Sequence, residues 1–130
     1  AADRDAPDDA PVMARNYVAK SLGRVIGFAQ LVNYPEGAGP QAGYWLYSLR
    51  VRIGWRGCGV GEALARRRMD DARRAGASCI SLVVYADNTP AVALDRKLGF
   101  ERVNHPHLDP VFEQEAAITG RRRIVMSRKL

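Results

Sequence analysis

Arg56-Gly57-Cys58-Gly59-Val60-Gly61-Glu62 is the stretch on which the reading of this chain turns. Three glycines in five positions stand between the exit of an apolar, strand-like run and the start of a strongly helical one. Without side chains the backbone can curl until successive N–H groups point into one concavity, and the unpaired N–H groups of the helix's first turn add to the same positive potential. A pyrophosphate fits such a concavity, and Arg56 at its entrance offers a charge-assisted contact to a phosphate oxygen. The stretch lacks the Gly-Lys-Ser/Thr ending of a nucleoside-triphosphate loop. Nor does it read as Gly-x-Gly-x-x-Gly followed by an acidic residue at the end of a second strand. Taken alone, it also fits a glycine-rich helix entry that binds nothing.

Working outward, the residues on either side alternate strand and helix signals. Gly43 to Val51 reads as a strand that feeds the glycine loop. Val60 to Ala75 reads as a helix with Ala65, Met69, Ala72 and Gly76 stepping along one face, and Gly76 is a natural stop. Ser78 to Tyr85 is a continuous apolar strand of the kind buried on both faces of a sheet, so strand, helix and strand imply a right-handed parallel crossover. Thr89 is placed to cap a second helix with Pro90 at its first position, Ala91, Leu94 and Leu98 on one face and Gly99 closing it. Phe100 to Asn104 and Arg122 to Ser127 read as further strands, with a helix from about Pro110 to Ile118 between them. Upstream, Asn16 to Lys20 and Arg24 to Asn33 form a hairpin through Ser21-Leu22-Gly23, and residues 34–41 are too rich in Gly and Pro for a regular element. Ala1 to about Arg15 is acidic, rich in Ala and Pro and without apolar periodicity, and is expected to be a flexible arm. The fold class is therefore α/β, with one domain over residues 16–130 and no internal repeat.

Composition narrows the function. A chain of 130 residues with 47% hydrophobic content suits one core. No apolar run approaches the roughly 18 residues that cross a bilayer, and the start resembles no secretory signal, so a cytoplasmic protein is expected. Two cysteines, Cys58 and Cys79, and two histidines, His105 and His107, show no disulfide framework and no metal-ligand spacing. The net charge is +6, but the first ten residues carry −3, leaving +9 on the rest. That surplus suits a polyanion, either nucleic acid or a phosphorylated small molecule. It also suits plain solvated faces at Arg66-Arg67-Arg68 and Arg121-Arg122-Arg123. No recognition helix or aromatic stacking platform supports nucleic acid.

Two blocks carry a resemblance. Arg56-Gly57-Cys58-Gly59-Val60-Gly61 is similar to the Gln/Arg-x-x-Gly-x-Gly/Ala signature of the GNAT-type N-acetyltransferases, and it follows a strand ending Leu49-Arg50-Val51 at the family's distance. Asn88-Thr89-Pro90-Ala91, then Leu94 and Lys97-Leu98-Gly99-Phe100, resembles the family's other block. The likeness covers residues 16–130. It implies the GNAT fold, a mixed, mostly antiparallel sheet with a central splayed parallel strand pair and flanking helices. It also implies acetyl-CoA as co-substrate and an amine of a small molecule or peptide as acceptor, with a non-catalytic coenzyme A-binding module as the alternative.

By position, the resemblance assigns backbone contacts to the pantetheine and acetyl carbonyl to Leu49 and Val51. Arg56, Gly57, Cys58, Gly59, Val60, Gly61 and Glu62 then surround the pyrophosphate, with Cys58 acting through its backbone. Asn88 is expected to touch the pantetheine, because Thr89 and Pro90 already supply helix-start chemistry. Where many members have a tyrosine as general acid this chain has Asp95. An ordinary aspartate, with a pKa of about 3.9, is ionised at neutral pH and ill suited to protonating a thiolate of pKa near 8.5, so Asp95 reads more readily as a surface residue than as a catalytic one. The general base is open among Tyr44, Tyr47, Ser48, His105, His107, Glu113 and an ordered water. No catalytic residue is assigned and no metal is expected. The family's first strand and helices have no counterpart before residue 16, so either the N-terminal part of the domain is absent from this sequence, or the acceptor cleft is completed by another segment or a second subunit, as in a homodimer.

Overall fold

The computed structural model describes residues 13–37 and 39–130. Six strands form one sheet: β1 (Met13–Ser21), β2 (Arg24–Tyr34), β3 (Gly43–Val51), β4 (Cys79–Tyr85), β5 (Glu101–Arg102) and β6 (Arg123–Lys129). Their spatial order is β1-β2-β3-β4-β6-β5. Only β3 and β4 run parallel, joined by the crossover helix α1 (Val60–Arg74); every other pairing is antiparallel. Two further helices, α2 (Thr89–Lys97) and α3 (Leu108–Thr119), follow β4 and β5.

The core is divided by the sheet. One cluster joins Leu31, Leu46, Ile80 and Met126 of the strands to Ala65, Met69 and Ala72 of α1, with Leu98 and Phe100 sealing the end of α2. The other packs Val32, Trp45 and Val125 against Phe112 of α3. Strands covered on both faces need apolar residues at consecutive positions, which is why Ile80 to Val84 shows no polar alternation beyond Ser81. Ser81 spends its hydroxyl on that of Ser127 of β6, at 2.9 Å.

The α/β class, the crossover and the burial of β4 from both faces agree with the sequence reading, whereas the single core expected is parted by the sheet into two clusters, and several limits move. β1 begins at Met13, so Met13 to Arg15 belong to the sheet and not to the expected arm; the rest of that arm lies outside the described residues. Glu101–Arg102 is all that remains of the strand expected from Phe100 to Asn104, and β6 runs on to Lys129. The cap of α2 is Asn88, whose side chain accepts from Ala91 N, and not Thr89, which is already helical. The hairpin turn is the two-residue kind, with Leu22 and Gly23 both at positive φ (51° and 79°). That is the twist two antiparallel strands require, but leucine is a poor occupant of it.

Candidate functional site

β3 and β4 pair over only three positions, Tyr44 with Ile80, Trp45 with Ser81 and Leu46 with Leu82. Beyond Leu82, β4 stays with β6 as far as Tyr85 opposite Arg123, while β3 stays with β2. The two parallel strands therefore part. The cause is local: Phe28 of β2 faces Arg50 and Gln30 faces Tyr47, so Ala29 alone opposes both Ser48 and Leu49. Such a bulge bends its strand and leaves main-chain groups without ladder partners. Ser48 takes the left-handed φ of 52° that the bend needs.

Arg68 holds this bend from behind. It is the one buried charged residue among those described, 2% exposed, on the same stripe of α1 as Leu64, Ala65, Met69 and Ala72. Its Nη1 donates to Gln30 O at 3.0 Å and Tyr47 O at 3.2 Å, the carbonyls flanking the bulge, and its Nε to Leu64 O at 3.1 Å. Burial pulls the guanidinium down to about 10, against the opposing pull of Tyr17 and Asp95. The expectation that Arg66-Arg67-Arg68 is simply a solvated face fails at this residue.

The parting strands enclose a cavity of about 240 Å³, walled by aliphatic side chains such as Leu49, Val84 and Leu94 and by the polar groups of Arg68, Asn88 and Asp95. Leu49 is 44% exposed, an apolar side chain left at the mouth. Val51 pairs with Gly27 at the strand's end, and its carbonyl takes a long 3.4 Å contact from Arg56 Nε. Arg56 is exposed at the start of the glycine loop.

The loop itself has the geometry that its composition demands. Gly57 and Gly59 both lie at positive φ (77° and 84°), and Gly59 is the N-cap of α1. The first helical bond runs from Ala63 N to Gly59 O, so the amides of Val60, Gly61 and Glu62 have no intrahelical acceptor and supply a positive pole. A Cβ on Gly61 would stand 3.4 Å from Leu49 and 3.6 Å from Leu94, which puts this helix start against the cavity mouth. Gly27 serves from below: a Cβ there would come within 2.8 Å of Val60 Cγ1. Glu62 is the one carboxylate in the loop. Lys97 at 2.8 Å and Arg66 at 3.0 Å hold its pKa below the usual range and offset its charge. Cys58 is exposed, and its Sγ only approaches Arg56 O.

Asn88 stands at the cavity with its two ends divided. Its Oδ1 caps α2 by accepting from Ala91 N at 3.3 Å, so the helix-start role expected of Thr89 falls to it. Its amide N–H₂ has no partner among the described residues.

A second cavity, of about 260 Å³, opens on the α3 face between Trp45, Leu108, Phe112 and Arg123. It shares Tyr47 and Val83 with the first, so the split between β3 and β4 is reached from both faces of the sheet. Tyr47 is pushed up to about 12 by burial and by the Tyr34 hydroxyl 3.3 Å away, which disqualifies it as a base at neutral pH. His105 is spent on structure: Nδ1 accepts from Leu108 N at 3.1 Å, so the ring proton sits on Nε2 and points to Pro40 O at 3.0 Å. Glu113 is exposed on α3, and Glu115 is paired with Arg123 at 2.7 Å. Of the base candidates, only Tyr47 and Ser48 line the first cavity.

A sheet split at its single parallel pair, with the free amides of a helix start at the mouth of the split, is the architecture that the resemblance to the GNAT-type acetyltransferases implies. Residues 3–100 match the acetyltransferase (GNAT) family, and the chain belongs to it. It is 36% identical to the mycothiol acetyltransferase of Thermobifida fusca over 65% of this chain and 27% of that protein. It is 34% identical to the N-alpha-acetyltransferase RimI of Mycobacterium tuberculosis over 65% of this chain and 51% of that one. Among solved structures, nourseothricin acetyltransferase superposes with a TM-score of 0.72 at 27% identity, covering 89% of this chain and 65% of that one. The chain spans about a quarter of the length of the first mycothiol acetyltransferases it matches.

Proposed function

We propose that this domain transfers the acetyl group of acetyl-CoA to an amine of a small molecule or peptide. The observation that carries the reading is the slot between β3 and β4, open to a cavity on each face, with the glycine loop at the mouth of one of them. In that reading the amides of residues 57–62 and Arg56 take the pyrophosphate, and the main chain of Leu49 and Val51 takes the pantetheine in place of the lost ladder. The Asn88 amide donates to the same arm. The amine comes from the α3 face, past Tyr47 and Val83. Because neither histidine nor glutamate is aimed into the slot, water is left to accept the amine's proton. The same reading places the protein in the cytoplasm, where two exposed free cysteines are at home.

Calorimetry with acetyl-CoA, followed by thiol release across a panel of arylalkylamines, polyamines and peptide N-termini, tests this. Saturable binding with release on at least one amine is expected. Binding with no release on a broad panel would favour a coenzyme A-binding module without chemistry, and absence of binding would end both.

A further inference from the structure

Asp95 is the only carboxylate among the residues lining the cavity between the parted strands. It sits on α2 one turn after Ala91 and two after Asn88, on the face those two residues share. It is half-buried, and its carboxyl accepts no hydrogen bond from any described residue. The groups that face the same space are few. Arg68 comes from α1, with its Nε and Nη1 donors committed to three carbonyls. Tyr47 comes from β3 and Tyr85 from β4, the latter with the Arg121 guanidinium 3.8 Å over its ring. Arg128 of β6 reaches α2 only at Leu98 O, 3.1 Å away. A carboxyl placed this way has a positive charge in view and none in contact.

Apart from Ser48 and the Asn88 amide the remaining wall is aliphatic, so the neutral acid is favoured as water leaves. Burial already lifts Asp95 to about 6, with Arg68 pulling the other way. A pantetheine arm that fills the cavity removes the water still reaching the carboxyl and moves the balance further in the same direction.

We propose that Asp95 is the proton donor of the acyl transfer: it takes up a proton as the donor fills the cavity and gives it to the coenzyme A sulfur. The proposal rests on the acetyl-transfer reading above. The amine nitrogen's lone pair forms the new bond to the carbonyl carbon, and the carbon–sulfur bond breaks with its pair going to sulfur. The sulfur takes the Asp95 proton, the nitrogen's surplus proton passes to water, and the carboxylate takes up its next proton from solvent as the following acetyl-CoA fills the cavity. An ionised Asp95 would instead repel the forming thiolate.

The test begins with binding alone. Coenzyme A is titrated into the wild-type domain, Asp95→Asn and Asp95→Glu at pH 7, in two buffers of different ionisation enthalpy. The wild type and Asp95→Glu should take up close to one proton more per coenzyme A than Asp95→Asn, which cancels any contribution from the ligand's phosphates. Turnover follows: kcat of the wild type should fall as pH rises above the bound-state pKa. Asp95→Asn should show no such limb and a kcat lower by about 100-fold, with KM for acetyl-CoA little changed. Equal proton uptake by wild type and Asp95→Asn, or an Asp95→Asn kcat like the wild type's, overturns the proposal. Failure of all three proteins, shown folded by circular dichroism, to bind coenzyme A would instead overturn the acetyl-transfer reading on which this one stands.

Discussion

Replacing Arg68 by methionine keeps the length and volume of the side chain and removes its donors. Gln30 O and Tyr47 O then lose their partner, at a cost of about 1–3 kcal/mol each when the carbonyl is left buried. Leu64 O loses little, because it still accepts the helical N–H of residue 68. Against this stands the cost of keeping a guanidinium out of water. Its depression to about 10 corresponds to about 3 kcal/mol, which methionine does not incur. At the middle of that range the two carbonyls lose about 4 kcal/mol, which exceeds the relief by about 1 kcal/mol, below the 3–5 kcal/mol typical when one partner of a buried ion pair is removed.

For a domain of this size that loss lowers Tm by roughly 4 °C, and urea melts should show a lower midpoint with an unchanged slope. Coenzyme A affinity should fall as well, because the bend at Ser48 is no longer held, and Arg68→Lys should lie between the two in both measurements. A methionine variant as stable as the wild type would show that dehydration of the charge outweighs its hydrogen bonds. If that variant also bound coenzyme A normally, the bulge would not depend on Arg68 at all.

Other substitutions report on separate parts of the site. Gly27→Ala should cost about 1–3 kcal/mol in urea melts and weaken coenzyme A binding, since the new methyl displaces Val60 at the helix start; unchanged affinity would detach the loop's geometry from β2. Asn88→Asp keeps the oxygen that caps α2 and loses the amide donor, so stability should hold while coenzyme A affinity falls; Asn88→Ala should also lose about 1 kcal/mol of stability. Leu22→Asn should stabilise the fully exposed hairpin turn by about 1 kcal/mol, seen as a higher Tm; no gain would mean that the turn relaxes in solution. Asp95→Asn should stabilise the ligand-free fold by about 1 kcal/mol at pH 8, allowing for the carboxyl's partial access to water. The folded-state pKa of Asp95 is raised, so its penalty is fully present above about pH 6 and gone below its ordinary value near 4. The advantage of asparagine should therefore vanish at pH 4, and an advantage independent of pH would refute the burial argument.

What the sequence made legible was what short-range rules encode. Gly57, Gly59 and Gly61 announce a loop, Gly76 and Gly99 announce helix ends, and Ile80 to Val84 announces a buried strand. The α/β class and the geometry of the glycine loop follow from these. The cap of α2 was misplaced by one residue because Asn88 and Thr89 are both good cap formers, and only the fold shows which one the chain uses. The bulge was implied by the family resemblance, near the end of the strand Gly43 to Val51, but the residues themselves carry no mark of it, since Tyr47-Ser48-Leu49 contains neither glycine nor proline to signal a left-handed residue. Arg68 was legible in principle. It falls on the stripe formed by Leu64, Ala65, Met69 and Ala72, but its charge and its place in a run of three arginines argued for the surface.

These two hidden features belong together. A left-handed serine is a strained conformation that persists only where its surroundings determine it, at a cost on the order of 1–3 kcal/mol. Here the bulge exposes two carbonyls, and the donor that satisfies them comes from the helix whose first turn follows the glycine loop. One residue of α1 thus couples the width of the slot to the position of the helix that carries the glycine loop. The same guanidinium is the only charge set against the burial of Asp95. A change at Arg68 should therefore move three quantities at once: stability, coenzyme A affinity and the pH at which Asp95 takes up its proton. Removing the positive charge should raise that pH. Arg68→Lys, which keeps the charge, should leave it near the wild-type value even while weakening the bulge. Separate responses in the lysine and methionine variants would distinguish the electrostatic role of Arg68 from its hydrogen-bonding one, and identical responses would collapse the two into a single packing effect.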